Sequence, residues 1–142
     1  MKVLGLDVGE KRIGVAVSDA LGWTAQGVTV LNRTESSRDF EELRSLIESM
    51  EVTRVVVGLP RNMDGTLGSS AQRVQLFAKE IEERLLVPVT LWDERWTSAE
   101  ATRLLITADV SRKRRRQVVD KLAAVLILQS YLDGRAENGE RE

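Results

Sequence analysis

Apolar positions along the first third of the chain alternate rather than recur at helical spacing. Val3, Leu4, Leu6 and Val8 form a short apolar run that Gly9-Glu10-Lys11 interrupts, and Arg12–Ser18 follows with Ile13, Val15 and Val17 on one face and Gly14 and Ala16 on the other. After the turn-like stretch 19–24, a third strand over Ala25–Leu31 completes an antiparallel meander. The period then changes. Ser36-Ser37-Arg38-Asp39 has the composition of a helix start, and Phe40, Leu43, Leu46, Ile47 and Met50 recur as on one helical face. Arg54–Gly58 is apolar through its centre, as a strand covered on both sides is. A Gly-rich loop over 59–68 precedes a helix from Ser69 to Leu85, with Ala71, Val74, Phe77, Ala78, Ile81 and Leu85 inward. Beyond Pro88, a strand over Val89–Trp92 leads into Asp93-Glu94-Arg95. Thr97-Ser98-Ala99-Glu100 has capping-box spacing and predicts a further helix with Ala101, Leu104 and Leu105 inward. A final, largely apolar helix is expected over Val118–Tyr131, and residues 135–142, without a hydrophobic anchor, as a frayed tail.

This order predicts one domain over residues 1–134: an α/β fold with a five-stranded mixed sheet, three strands in a meander and two added in parallel, with helices on both faces. The helical crossovers make strands one, four and five parallel. Their carboxyl ends, at Asp7, Gly58 and Glu94, then share the sheet edge where open α/β folds place their sites.

Composition narrows the chemistry. The 142 residues contain no cysteine and no histidine. Thiolate metal sites, disulfides, imidazole bases and serine triads are therefore excluded, and carboxylates remain as the main catalytic groups. A carboxylate site favours hard cations, Mg²⁺ or Mn²⁺. No leader-like segment and no apolar run long enough to cross a bilayer is visible, so a cytoplasmic location without a membrane partner is the simple expectation. The net charge of −1 is uninformative, but five consecutive cations, Arg112-Lys113-Arg114-Arg115-Arg116, make a local stripe suited to phosphates.

Asp7 puts a charge into an apolar run, which costs several kcal/mol if buried without compensation. Taken singly, Asp7 is equally compatible with closing the Gly9 turn, Glu94 with a solvated pair to Arg95, and Asp120 with an N-cap or first-turn position. Together at one sheet edge they would repel unless cations lay between them. Two divalent ions held by such acids can activate water and stabilise the leaving oxygen in phosphodiester cleavage. Cations adjoin each acid: Lys11 and Arg12 after Asp7, Arg95 after Glu94, and the basic run before Asp120 with Lys121 after it. The loop with Arg61 and Asn62 is a further candidate to approach a nucleic-acid backbone. Trp92 and Trp96 suit either base stacking or core packing.

Gly5-Leu6-Asp7-Val8-Gly9, Lys11-Arg12-Ile13-Gly14-Val15-Ala16, Gly58-Leu59-Pro60 with Asn62-Met63-Asp64-Gly65, Asp93-Glu94-Arg95 with Thr97, and Asp120-Lys121-Leu122-Ala123-Ala124 resemble, in order, the motifs of the YqgF family, also called RuvX. The resemblance covers about residues 1–133. It implies an RNase H-like fold and a metal-dependent nuclease, with Asp7, Glu94 and Asp120 at the family's acidic positions. It also implies maturation of the 5′ end of pre-16S rRNA, with resolution of Holliday junctions as the older assignment. Arg61 and Trp96 stand where the family more usually has aliphatic residues. A resolvase cutting two strands would be a dimer, and monomer and homodimer stay open. No motif here reads a ribose 2′-hydroxyl. Two other classes fit parts of the pattern: a non-catalytic RNA-binding assembly factor using the basic run, and a nucleotide-binding module, because Asp-x-Gly after a first strand also resembles the phosphate loop of actin-like proteins. The latter normally need two such domains.

Overall fold

In the computed structural model the described residues are 2–34, 37–61, 64–93 and 112–137, with 112–120 and 136–137 as backbone. The elements run β1 (Lys2–Val8), β2 (Arg12–Ser18), β3 (Ala25–Asn32), α1 (Arg38–Ser49), β4 (Val52–Leu59), α2 (Ser69–Leu85), β5 (Val89–Asp93) and α3 (Arg112–Glu137). The sheet order is β3-β2-β1-β4-β5. β1 pairs antiparallel with β2 and β2 with β3, whereas β1–β4 and β4–β5 are parallel. The meander and its two parallel additions are as the sequence predicts. The helix expected from Thr97 lies outside the described residues.

Strand alternation divides the molecule into two cores. Leu4, Leu6, Val8, Ile13, Val15, Val55, Val57 and Leu59 project to one face, where Phe40 and Leu43 of α1 and Val74, Phe77, Ala78 and Ile81 of α2 cover them. Phe40 and Phe77 meet across the two helices with ring centroids 5.0 Å apart. On the other face Val3, Ala16 and Val56 meet Ala124, Ile127, Leu128, Tyr131 and Leu132 of α3.

This second face is built by leaving side chains out. A Cβ on Gly5 would lie 2.6 Å from Leu128 Cβ, and one on Gly58 2.5 Å from Ile127 Cδ1. Both distances are below contact, so these glycines are where α3 comes close to the sheet. Trp92 belongs to the same core: its Nε1 donates to Ser130 Oγ at 2.9 Å, and its ring meets Tyr131 edge-on at 5.5 Å. Of its two expected roles, core packing is the one observed; Trp96 is outside the described residues.

Three local expectations need correction. α3 begins at Arg112, not near Val118, so the basic run is helical. Arg and Lys are good helix formers, but a run without apolar residues has no period to reveal it. At its other end α3 continues through Gly134 to Glu137, into the stretch expected to fray. Gly134 does not end the helix: its missing side chain makes room for Trp92, whose Cη2 would be 2.9 Å from a Cβ there, and Arg135 stacks over Tyr131 at 5.5 Å. Finally, Ser37 sits at the start of α1 in the left-handed region (φ 65°) and makes no side-chain cap. Thr34 Oγ1 accepts from the Arg38 N–H instead, and Ser37 Oγ accepts from Arg84 of α2.

Candidate functional site

Asp7 is the penultimate residue of β1 and lies across from Gly14 of β2. Counting in twos from Val3 and Gly5, which face α3, Asp7 falls on the α3 face. It is half-buried, and Gly14 puts no side chain beside it.

The direction of α3 decides what else comes near. Gln129 accepts from the Ala25 N–H at the start of β3, and the stem of Lys121 lies over Gly27, two residues further along that strand. α3 thus runs towards lower numbers as β1 runs towards Asp7. Gly5 is covered by Ala124 and Leu128. α3 also crosses the sheet, from β3 at Lys121 to β5 at Gly134. Asp120 thus belongs to the helix that covers the Asp7 face of the sheet, although the two are distant in sequence. Asp120 also lies two turns inside α3, which removes the N-cap reading.

Asp93 closes β5 beside Leu59 of β4, on the α1–α2 side of the sheet. Asp93 is buried on the face away from Asp7, and its Oδ2 lies 3.4 Å from Arg61 Nε. Arg61 Nη1 also donates to the Gly65 carbonyl at 3.2 Å, while Asp64 closes its own turn by accepting from the Thr66 N–H and hydroxyl. Glu94, Arg95 and Asn62 lie outside the described residues.

The turn after Asp7 is held from behind. The Gly9 N–H donates to the Arg12 carbonyl at 2.9 Å, and Arg33 Nη1 donates to the Gly9 carbonyl at 3.2 Å. The Arg33 guanidinium stacks over Phe77 at 4.7 Å, and Arg73 of α2 pairs with Glu10 at 3.3 Å. Lys11 is exposed and Arg12 half-buried on a hairpin anchored to α2. Sequence reasoning missed Arg33 and Arg73, because a strand-end arginine and a helical arginine give no periodic signal. Lys121 is exposed, but its stem lies over β3, two strands from Asp7. Arg112, Lys113, Arg114, Arg115 and Arg116 form the first residues of α3, upstream of the Asp120 turn.

Among the described residues no three acids gather into a metal-binding cluster, and Asp7 alone of the three expected ligands has a described side chain. No helix among those residues is long and apolar enough to cross a membrane.

The same sheet and layers occur in solved structures. RuvC of T. thermophilus in complex with a Holliday junction substrate superimposes with a TM-score of 0.62 at 16% identity, covering 100% of this chain and 99% of that one. Fowlpox virus resolvase in complex with Holliday junction DNA gives 0.52 at 11% identity, covering 94% and 98%. These likenesses establish an RNase H-like fold. Sequence relatives are nearer. A protein of Heliobacterium modesticaldum is 53% identical over 142 residues, covering 100% of this chain and 95% of the relative. One of Shouchella clausii is 57% identical over 135 residues, covering 94% and 95%. Both are named "Putative pre-16S rRNA nuclease". The family model described as "RuvX: Holliday junction resolvase" matches residues 1–134. With motifs in order, a matching sheet and full-length relatives, this chain belongs to the RuvX family.

Proposed function

We propose that this protein is a hydrolytic nuclease that cleaves phosphodiester bonds in structured RNA, processing the 5′ end of pre-16S rRNA in the cytoplasm. The observation that carries the reading is Asp7, half-buried at the end of β1, on the sheet face covered by α3, the helix that contains Asp120. The relatives' name supports the substrate class.

The donor chemistry fits a hard divalent cation, since the chain offers carboxylates and has no histidine or cysteine. Asp7, Glu94 and Asp120 would hold Mg²⁺ or Mn²⁺, in a pair of ions. When bound, such ions supply an activated water and stabilise the charge that develops on the leaving oxygen. The chain's own contribution is position. Lys11 and Arg12, on a hairpin fixed by Arg33 and Arg73, present positive charge beside Asp7. Arg112, Lys113, Arg114, Arg115 and Arg116 add a cationic stretch upstream of Asp120 on a helix, and Arg95, Asn62 and Lys121 extend the set. These groups grip phosphates without reading sequence.

The test is cleavage of a 5′-extended 16S rRNA precursor with Mg²⁺ or Mn²⁺, beside a four-way DNA junction, by the wild-type chain and by Asp7→Asn. Loss of precursor cleavage in the variant is expected; an unchanged rate overturns the three-acid mechanism. The family description favours a second reading, resolution of branched DNA. It requires a dimer presenting two sites, and a monomer that leaves the junction intact excludes it.

A further inference from the structure

Arg61 is exposed on the loop after β4, next to the sheet edge, and reads at first as one more phosphate contact. Its geometry differs from that of Lys11. Nε faces the buried carboxylate of Asp93 at 3.4 Å, and Nη1 donates to the Gly65 carbonyl at 3.2 Å. One guanidinium thus joins the end of β5 to the far side of its own loop, and two of its donor directions point into the protein. Asp93 is only 9% exposed and sits beside the apolar Leu59. A carboxylate so placed is stabilised by a nearby cation, and Arg61 supplies one.

We propose that Arg61 is a positioning residue: it locks Asp93, and with it the chain end from which Glu94 follows, and it shapes the 64–68 loop, without itself gripping the nucleic acid. The proposal rests on the reading of Glu94 as a member of the acidic site. Among the described residues β5 is an edge strand, and its last residue is held in the ladder through β4. The Asp93–Arg61 contact supplies a second restraint at the point where the strand hands over to Glu94. A shift there would be transmitted to the next residue directly, through the backbone.

The experiment compares wild type with Arg61→Leu, Arg61→Lys and Asp93→Asn. Cleavage of the rRNA precursor is measured under single-turnover conditions. RNA binding is measured with chelator present across a salt series, and amide exchange across Gly65–Gly68 and Trp92–Asp93. Arg61→Leu is expected to lower the maximal rate about 10- to 100-fold, the range seen when a partner behind a ligand is lost. RNA affinity and its salt slope should stay as in wild type, and Arg61→Lys should recover part of the rate. Exchange should quicken in both segments in Arg61→Leu, and Arg61→Leu/Asp93→Asn should be no worse than either single variant. Weaker RNA binding with a salt slope reduced by about one, at an unchanged rate, would make Arg61 a phosphate contact and overturn the proposal. So would unchanged exchange and rate. If wild type cleaves no precursor, the functional reading fails, and the exchange comparison still decides whether Arg61 restrains the two segments.

Discussion

Gly5 and Leu6 are neighbours in β1, and they face opposite sides of the sheet under opposite constraints. Leu6 fills the core beneath α1 and α2, and its neighbours are large aliphatic and aromatic side chains. Gly5 lies beneath α3, where a Cβ would come within 2.6 Å of Leu128 Cβ. One face stabilises the fold by added bulk, the other by its omission. The difference has a chemical consequence: the omission draws one helix down onto the strands, and that helix carries Asp120 over the sheet face on which Asp7 lies. The α1–α2 face carries arginines instead: Arg33, Arg73 and Arg61 act as fasteners at the same sheet edge.

The contrast can be broken most sharply at Asp7. Asp7→Asn should cost about 10²–10³-fold in cleavage rate, the several kcal/mol that a metal-held site supplies, without lowering the thermal midpoint. A loss of folding instead would return Asp7 to a structural role. Next, Leu6→Ala should destabilise by about 3 kcal/mol through a cavity, and Gly5→Ala by about 2–3 kcal/mol through overpacking. Urea unfolding measures both. If Gly5→Ala proves neutral, α3 does not sit as close as described.

Gly58→Ala should be milder, about 1 kcal/mol, because the atom it meets is the tip of Ile127, at 2.5 Å, and not a Cβ. Pairing it with Ile127→Val, which removes that tip, should recover most of the loss, whereas no side-chain truncation short of glycine at Leu128 relieves Gly5→Ala. Trp92→Phe should cost about 1 kcal/mol by removing the hydrogen bond to Ser130, leaving RNA affinity unchanged; a drop in affinity would assign Trp92 to base stacking.

The smallest effect is expected far from the site, in the β2–β3 turn. Desolvation pushes the Asp19 carboxyl up, but the N–H groups of Trp23, Thr24, Gly22 and Asp19 itself outweigh it and hold the pKa below the ordinary 3.8. The folded pKa is depressed, so the stabilisation is present above the unfolded value and is lost as pH falls through the folded one. An NMR titration of Asp19 with a midpoint at or above the ordinary value would show that these bonds do not persist in solution.

Much of this was legible in the chain. The apolar run in 3–8 and the alternation in 12–18 marked the hairpin, and helical spacing marked α2 to the residue, because α2 buries one face while the α3 side of β2 is left to Gly14 and Ala16. The candidate acids were legible through their cationic neighbours and the family motifs. The helical state of Arg112–Arg116 and the continuation of α3 past Gly134 were not, since the first has no apolar period and the second depends on a tryptophan in another strand.

The sequence by itself determined the five strands, α1 and α2, the strand directions implied by the crossovers, the carboxylates as the candidate catalytic groups left by the absence of histidine and cysteine, and the family. Only the tertiary structure decided that Asp93 is buried beside Arg61, and that Asp120 lies inside the helix that covers the Asp7 face of the sheet. The reason is physical. Strand and helix periods are carried by neighbours along the chain, but the distance between two elements is set by the side chains absent between them, here at Gly5 and Gly58.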